Sequence, residues 1–96
     1  MPEELEILRG RIQEIDEAII RLLGQRLAHV RLLARWKASA GIPVEDASRD
    51  AERTAFYRAA AHREGLDPAF VQRLFSAVRE RSRCEQYLER RRRDGA

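Results

Sequence analysis

The apolar positions in the first part of the chain fall on one helical stripe: Leu5, Leu8, Ile12, Ile15, Ile19 and Leu22, resumed at Val30 and Leu33. Steps of three and four residues form a heptad-like seam and predict a single amphipathic helix. It starts near Glu3 or Glu4. No Pro lies between Pro2 and Pro43, and Gly24 costs a helix interior only about 1 kcal/mol. The helix therefore runs to about Ser39. Beyond it, Gly41 can take a left-handed cap and Pro43 bars continuation.

A second helix is expected after the loop Val44-Glu45-Asp46-Ala47-Ser48, with Asp46 or Ser48 as its N-cap and Gly65 as its stop. The third opens on Asp67 as N-cap and Pro68 at the first helical position. Its stripe is Val71, Leu74, Phe75 and Val78, and it fades into charge near residue 90. No segment reads as a strand, a repeat or a linker. The fold class is all-α: a three-helix protomer with one very long N-terminal helix. Residues 1–96 form a single domain, with 5–90 as its core and 91–96 as a basic tail.

Length sharpens this picture. A helix of about 35 residues is a rod of roughly 50 Å. A compact globule of this chain length is only about 30–35 Å across. The rod outgrows its own fold while its apolar stripe continues. A second copy of the chain, wrapped as an intertwined homodimer, is the simplest cover. The alternative is a lone helix with a frayed end, which the continuing stripe argues against.

Some polar residues stand where the stripes call for apolar ones. Continuing the first stripe past Leu22 reaches Arg26, and continuing past Leu33 reaches Lys37. At about 100° per residue, these two lie within roughly 20° of each other around the helix. A cation on an inward stripe is costly unless it is paired or binds an anion. The third helix repeats the pattern: Val78 is followed at steps of four by Ser82 and Gln86. The loop adds Asp46, Arg49 and Asp50, close to backbone N–H groups suited to an anion or a hydroxyl-bearing ligand. Each feature also has a structural explanation: solvation, an ordinary cap or a local salt bridge.

Composition narrows the chemistry. The chain has 96 residues with a net charge of +3, but Arg90, Arg91, Arg92 and Arg93 supply four positive charges, and without them the net charge is −1. Those arginines suit either an acidic partner or a solvated helix end facing the helix dipole. Cys84 is the single cysteine, and His29 and His62 lie far apart in sequence, so neither a disulfide nor a metal cluster is expected. No run is long enough to span a membrane, and the acidic start is unlike a signal peptide, so a cytoplasmic protein is expected. With no nucleophile–base pair in sight, the pattern suits a reaction in which charge shifts within a dianionic substrate. Catalysis would then be electrostatic and conformational, with no cofactor.

The ordered set Leu8-Arg9, Ile12, Ile15-Asp16, Leu22-Leu23-Gly24-Gln25-Arg26, Lys37, Pro43 through Asp50, Gly65-Leu66-Asp67, Arg73-Leu74-Phe75, Ser82 and Gln86 resembles the all-helical (class II) chorismate mutases. The resemblance covers about residues 5–90. It implies a homodimer with two active sites that rearranges chorismate, a dicarboxylate enol ether, to prephenate. It implies that Arg9 reaches into the partner's site. Arg26 and Lys37 would hold carboxylates, with Lys37 and Gln86 also donating to the ether oxygen. Arg49 and Ser82 would make further substrate contacts, and Asp46 would stand near the ring hydroxyl. Spacing agrees for Arg9, which lies about 25 Å from Arg26 along one helix.

The chain departs from the family pattern at three places. Asp50 stands where Glu is usual, Arg79 and Arg83 where relatives often carry apolar residues, and Trp36 is bulkier than the common choice. Two relatives of the same fold remain as alternative activities: an isochorismate pyruvate lyase and a 4-amino-4-deoxychorismate mutase. A non-catalytic helical dimer and a basic-tail binding module are the alternatives of another class. Neither a membrane nor a nucleic acid is the expected partner.

Overall fold

The computed structural model describes residues 2–95. Helix α1 spans Pro2–Ala40, a short 3-10 helix Ala47–Arg49, α2 Asp50–Arg63 and α3 Pro68–Gly95. The chain is all-α, with no strand among the described residues. Glu3 and Glu4 in its first turn and Lys37 in its last give α1 the charge order that the helix dipole favours.

Both interhelical turns are built by glycine. Gly41 has φ +69°, and its N–H bonds the Ala38 carbonyl while the next N–H, of Ile42, bonds Lys37 at 2.8 Å. Gly65 repeats this arrangement after α2, with its own N–H on His62 and that of Leu66 on Ala61 at 2.8 Å. Each is a Schellman cap, whose left-handed residue strains any side chain larger than glycine's. The Asp67 carboxylate accepts the Ala69 N–H at 3.1 Å and starts α3.

α3 packs on both α1 and α2. The small core joins Tyr57 and Ala61 of α2 to Val71 of α3, with Phe75 beside them. The Tyr57 and Phe75 rings stack with centroids 4.5 Å apart. A second contact zone clamps α1 to α3 through charge. The buried Glu85 carboxylate meets Arg81 at 2.6 Å and Arg31 at 3.5 Å, and the buried Glu89 meets Arg35 at 2.9 Å and Arg92 at 3.1 Å.

Far less of α1 is covered than its sequence requires. Between Pro2 and Ala40 only Val30 and Ala34 are buried. Leu5, Leu8, Ile12, Ile15, Ile19 and Leu22 are all exposed. The chain measures 58 × 31 × 15 Å, its long axis set by α1. Each exposed aliphatic side chain leaves on the order of 1 kcal/mol of apolar burial unrealised.

The end of α3 differs from the sequence reading. The helix does not fade near residue 90 but continues to Gly95. Arginine is a good helix former, and two of the four arginines are anchored. Arg90 donates to the Ile42 carbonyl at 2.5 Å and Arg93 to that of Arg35 at 3.5 Å. Residues 91–95 are thus the exposed last turns of α3, in keeping with the reading of these arginines as a solvated helix end.

Candidate active site

The stripe of α1 that turns polar faces a cavity of about 480 Å³. Arg26, Val30, Leu33 and Lys37 form its α1 wall. The loop after α1 adds Val44 to Asp46, the 3-10 helix adds Ala47, α2 adds Asp50, Arg53 and Tyr57, and α3 adds Arg79, Ser82, Arg83 and Gln86. Helical spacing explains the convergence, because steps of three and four residues keep one face of each helix toward the same space.

Lys37 and Gln86 bridge α1 and α3. The Lys37 ammonium donates to the Gln86 Oε1 at 3.0 Å and to the Val44 carbonyl at 2.8 Å. An ammonium only donates, so the Gln86 atom facing it must be the oxygen. The Gln86 amide nitrogen then remains a donor with no protein partner among the described residues, and one ammonium proton is also uncommitted. Burial, first, and the fields of Arg53 and Arg90 hold the Lys37 ammonium below its ordinary pKa.

Arg26 and Ser82 form the second bridge. The Ser82 hydroxyl donates to the Val78 carbonyl at 2.9 Å, so its oxygen accepts from the Arg26 guanidinium. No base is placed to deprotonate it. On the loop, the Asp46 carboxylate accepts from the Ser48 N–H at 3.1 Å and from the Ser48 hydroxyl. These bonds, the hydroxyl's first, hold Asp46 below the usual carboxylate range. It is an anionic acceptor at neutral pH.

Arg49 and Arg9 do not line this cavity, and for Arg9 the spacing along α1 already required that. Arg49 pairs with Glu52 at 3.6 Å and is not part of the cavity wall. Arg9 is exposed and pairs with Glu6 at 3.3 Å on the distant part of α1. Arg53 occupies the α2 wall instead, paired with Asp50 at 2.9 Å. A sequence signal for it exists: Asp50, Arg53 and Tyr57 are spaced as one face of α2. Glu45 also lines the cavity, with Arg83 at 3.8 Å.

The wall carries five cations (Arg26, Lys37, Arg53, Arg79 and Arg83) against three carboxylates (Glu45, Asp46 and Asp50), an excess of two positive charges. That excess matches a dianion. Cys84 is exposed and His29 bonds the Gln25 carbonyl at 2.9 Å; neither belongs to the wall. Among the described residues, no group of three or more His, Cys, Asp or Glu is placed to hold a metal ion. No helix there is long and apolar enough to cross a membrane.

A family model described as chorismate mutase type II matches residues 8–92, nearly the whole chain, and the chain belongs to that family. No solved structure matches it.

Proposed function

We propose that this protein is a chorismate mutase, an isomerase that rearranges chorismate to prephenate without a covalent intermediate or a cofactor. The observation that carries this reading is the joint placement of Arg26, Lys37, Ser82 and Gln86 on one cavity with no activated nucleophile. In the rearrangement a C–O bond breaks as a C–C bond forms, and negative charge builds on the ether oxygen. The uncommitted N–H groups of Lys37 and Gln86 are the donors for that oxygen. Preorganised donors of this kind stabilise the transition state more than the ground state. The cations, Arg26 above all, hold the two carboxylates so that the reacting carbons stay close. Asp46 and Asp50 are acceptors for the ring hydroxyl.

The working form in this reading is an intertwined homodimer. The exposed stripe from Leu5 to Leu22 supports it, because a second α1 would cover that surface. Arg9 lies on the same uncovered part of the helix, too far along α1 to reach the cavity of its own chain. In the dimer it completes the partner's site.

The test is the loss of chorismate absorbance on addition of purified protein, with chromatography of the products. Prephenate is the expected product. Pyruvate and salicylate from isochorismate would instead assign a lyase, and turnover of 4-amino-4-deoxychorismate alone would assign the amino-substrate mutase.

A further inference from the structure

We propose that Arg79 is a substrate contact and a specificity determinant, supplying the cationic grip on the α2–α3 side of the cavity. The inference rests on the cavity being the substrate site, as proposed above.

The cavity's cations fall into two groups. Arg53 is committed to Asp50 at 2.9 Å, and Arg83 lies 3.8 Å from Glu45. Arg26, Lys37 and Arg79 have no carboxylate within ion-pair distance among the described residues. Arg26 and Lys37 are the pair already given to the substrate. Arg79 is the third, and it stands on the α3 wall beside Tyr57 of α2.

Its position is built rather than incidental. The guanidinium carbon lies 5.5 Å from the centre of the Tyr57 ring, and the Nε donates to the Phe75 carbonyl at 3.4 Å. Tyr57 is itself buried and stacked on Phe75. A cation resting on an aromatic face attached to the core loses little entropy on binding and keeps its terminal N–H groups available. Those groups suit the planar fork of a carboxylate. Arg79 also shares one face of α3 with Ser82 and Gln86, at steps of three and four residues. A ligand touching those two residues is within the span of the same helix face.

Arg79 thus adds a cation on this side of the cavity, where Arg49, given a further substrate contact by the resemblance, pairs with Glu52. The ligand class follows: a small dicarboxylate whose second carboxylate approaches α3 beside Tyr57. Analogues carrying an amide or an ester at that carboxylate lose the paired contact and are discriminated against.

The experiment is steady-state kinetics of Arg79→Met and Arg79→Lys with chorismate, alongside their thermal midpoints. We expect KM to rise about tenfold or more in Arg79→Met, with kcat within about threefold and partial recovery in Arg79→Lys, the loss due to one charge-assisted contact. A purely structural role would lower the thermal midpoint and leave KM unmoved. If the parent converts chorismate and Arg79→Met keeps its KM, the inference fails while the function stands. If the parent does not convert chorismate, the function fails, and the anion contact is tested on its own. Inorganic sulfate is then titrated against the Arg79 Nε–H NMR signal, assigned by its loss in Arg79→Lys. A saturable shift sustains the contact, and an unmoved signal overturns it.

Discussion

The Lys37 ammonium donates to the side-chain oxygen of Gln86 at 3.0 Å, joining the end of α1 to the middle of α3 across the cavity. This bond fixes the orientation of the glutamine amide and turns its nitrogen into an available donor. Two donors from two helices are thereby set in place before any ligand arrives. Removing either is expected to reduce turnover more than stability. Lys37→Ala and Arg26→Ala should each lower kcat/KM by about a hundredfold or more, the scale of a lost preorganised donor. Circular dichroism of the same variants should show unchanged helicity.

Gln86→Glu gives a pH-resolved version of that test. A glutamate there would face the Lys37 ammonium, which favours the ionised carboxylate and lowers its pKa. An ionised carboxylate repels the growing charge on the ether oxygen, whereas a protonated one donates to it. The kcat/KM of the variant should therefore rise as pH falls, while the parent's does not. A profile parallel to the parent's would remove Gln86 from the chemistry.

The environment of Lys37 sets an alkaline limit. Desolvation, aided by the positive fields of Arg53 and Arg90, holds its pKa below the ordinary 10.5. Activity should decline on the basic side with an apparent pKa below that of a free lysine. Arg90→Ala removes one repulsive charge, so the limb should move to higher pH. Measuring kcat/KM against pH for the parent and this variant checks the sign.

The clamp between α1 and α3 carries a different dependence. Glu89 is held below the usual carboxylate range, first by its bond from Arg35 and then by the charges of Arg35 and Arg92. Its folded pKa is lower than its unfolded one. It thus contributes stability above the unfolded value, lost as pH falls through the folded value. The thermal midpoint should drop on acidification, and less so in Glu89→Gln. Glu85→Ala strands Arg31 beside α3 and should cost about 1–2 kcal/mol, discounted because both arginine partners are partly exposed.

Ile12 and Ile15 are exposed at 58% and 59% in the single chain, too much for side chains on a core stripe. In the proposed dimer they are covered. Ile15→Glu should shift sedimentation from dimer to monomer and abolish turnover, because each site then lacks its partner's Arg9. Equal masses for the parent and the variant would remove the intertwined arrangement.

Much of this was legible in the sequence because local rules and tertiary needs coincide. Gly41 caps α1 in the left-handed conformation expected of it, Gly65 ends α2 where a stop was expected, and Asp67-Pro68 opens α3. Arg26, Lys37, Ser82 and Gln86 announced themselves by breaking apolar stripes, and they share one cavity. What periodicity could not supply was the choice between adjacent arginines. Arg49 sits in the 3-10 turn and swings to Glu52, while Arg53, one helical turn later, faces inward. That choice depends on how the loop enters α2. The extent of α3 was hidden for a related reason: its arginines read as solvated charge, and only the fold brings the Ile42 carbonyl, just past α1, to Arg90 and the Arg35 carbonyl of α1 to Arg93.

In the proposed function, the cavity between α1, α2 and α3 rearranges chorismate through Lys37 and Gln86. The most direct test compares purified parent and Lys37→Ala in a chorismate-consumption assay with chromatographic identification of the product. Prephenate formation by the parent, reduced about a hundredfold or more in the variant, is the expected result. Equal turnover by both proteins, or no prephenate from the parent, would contradict it.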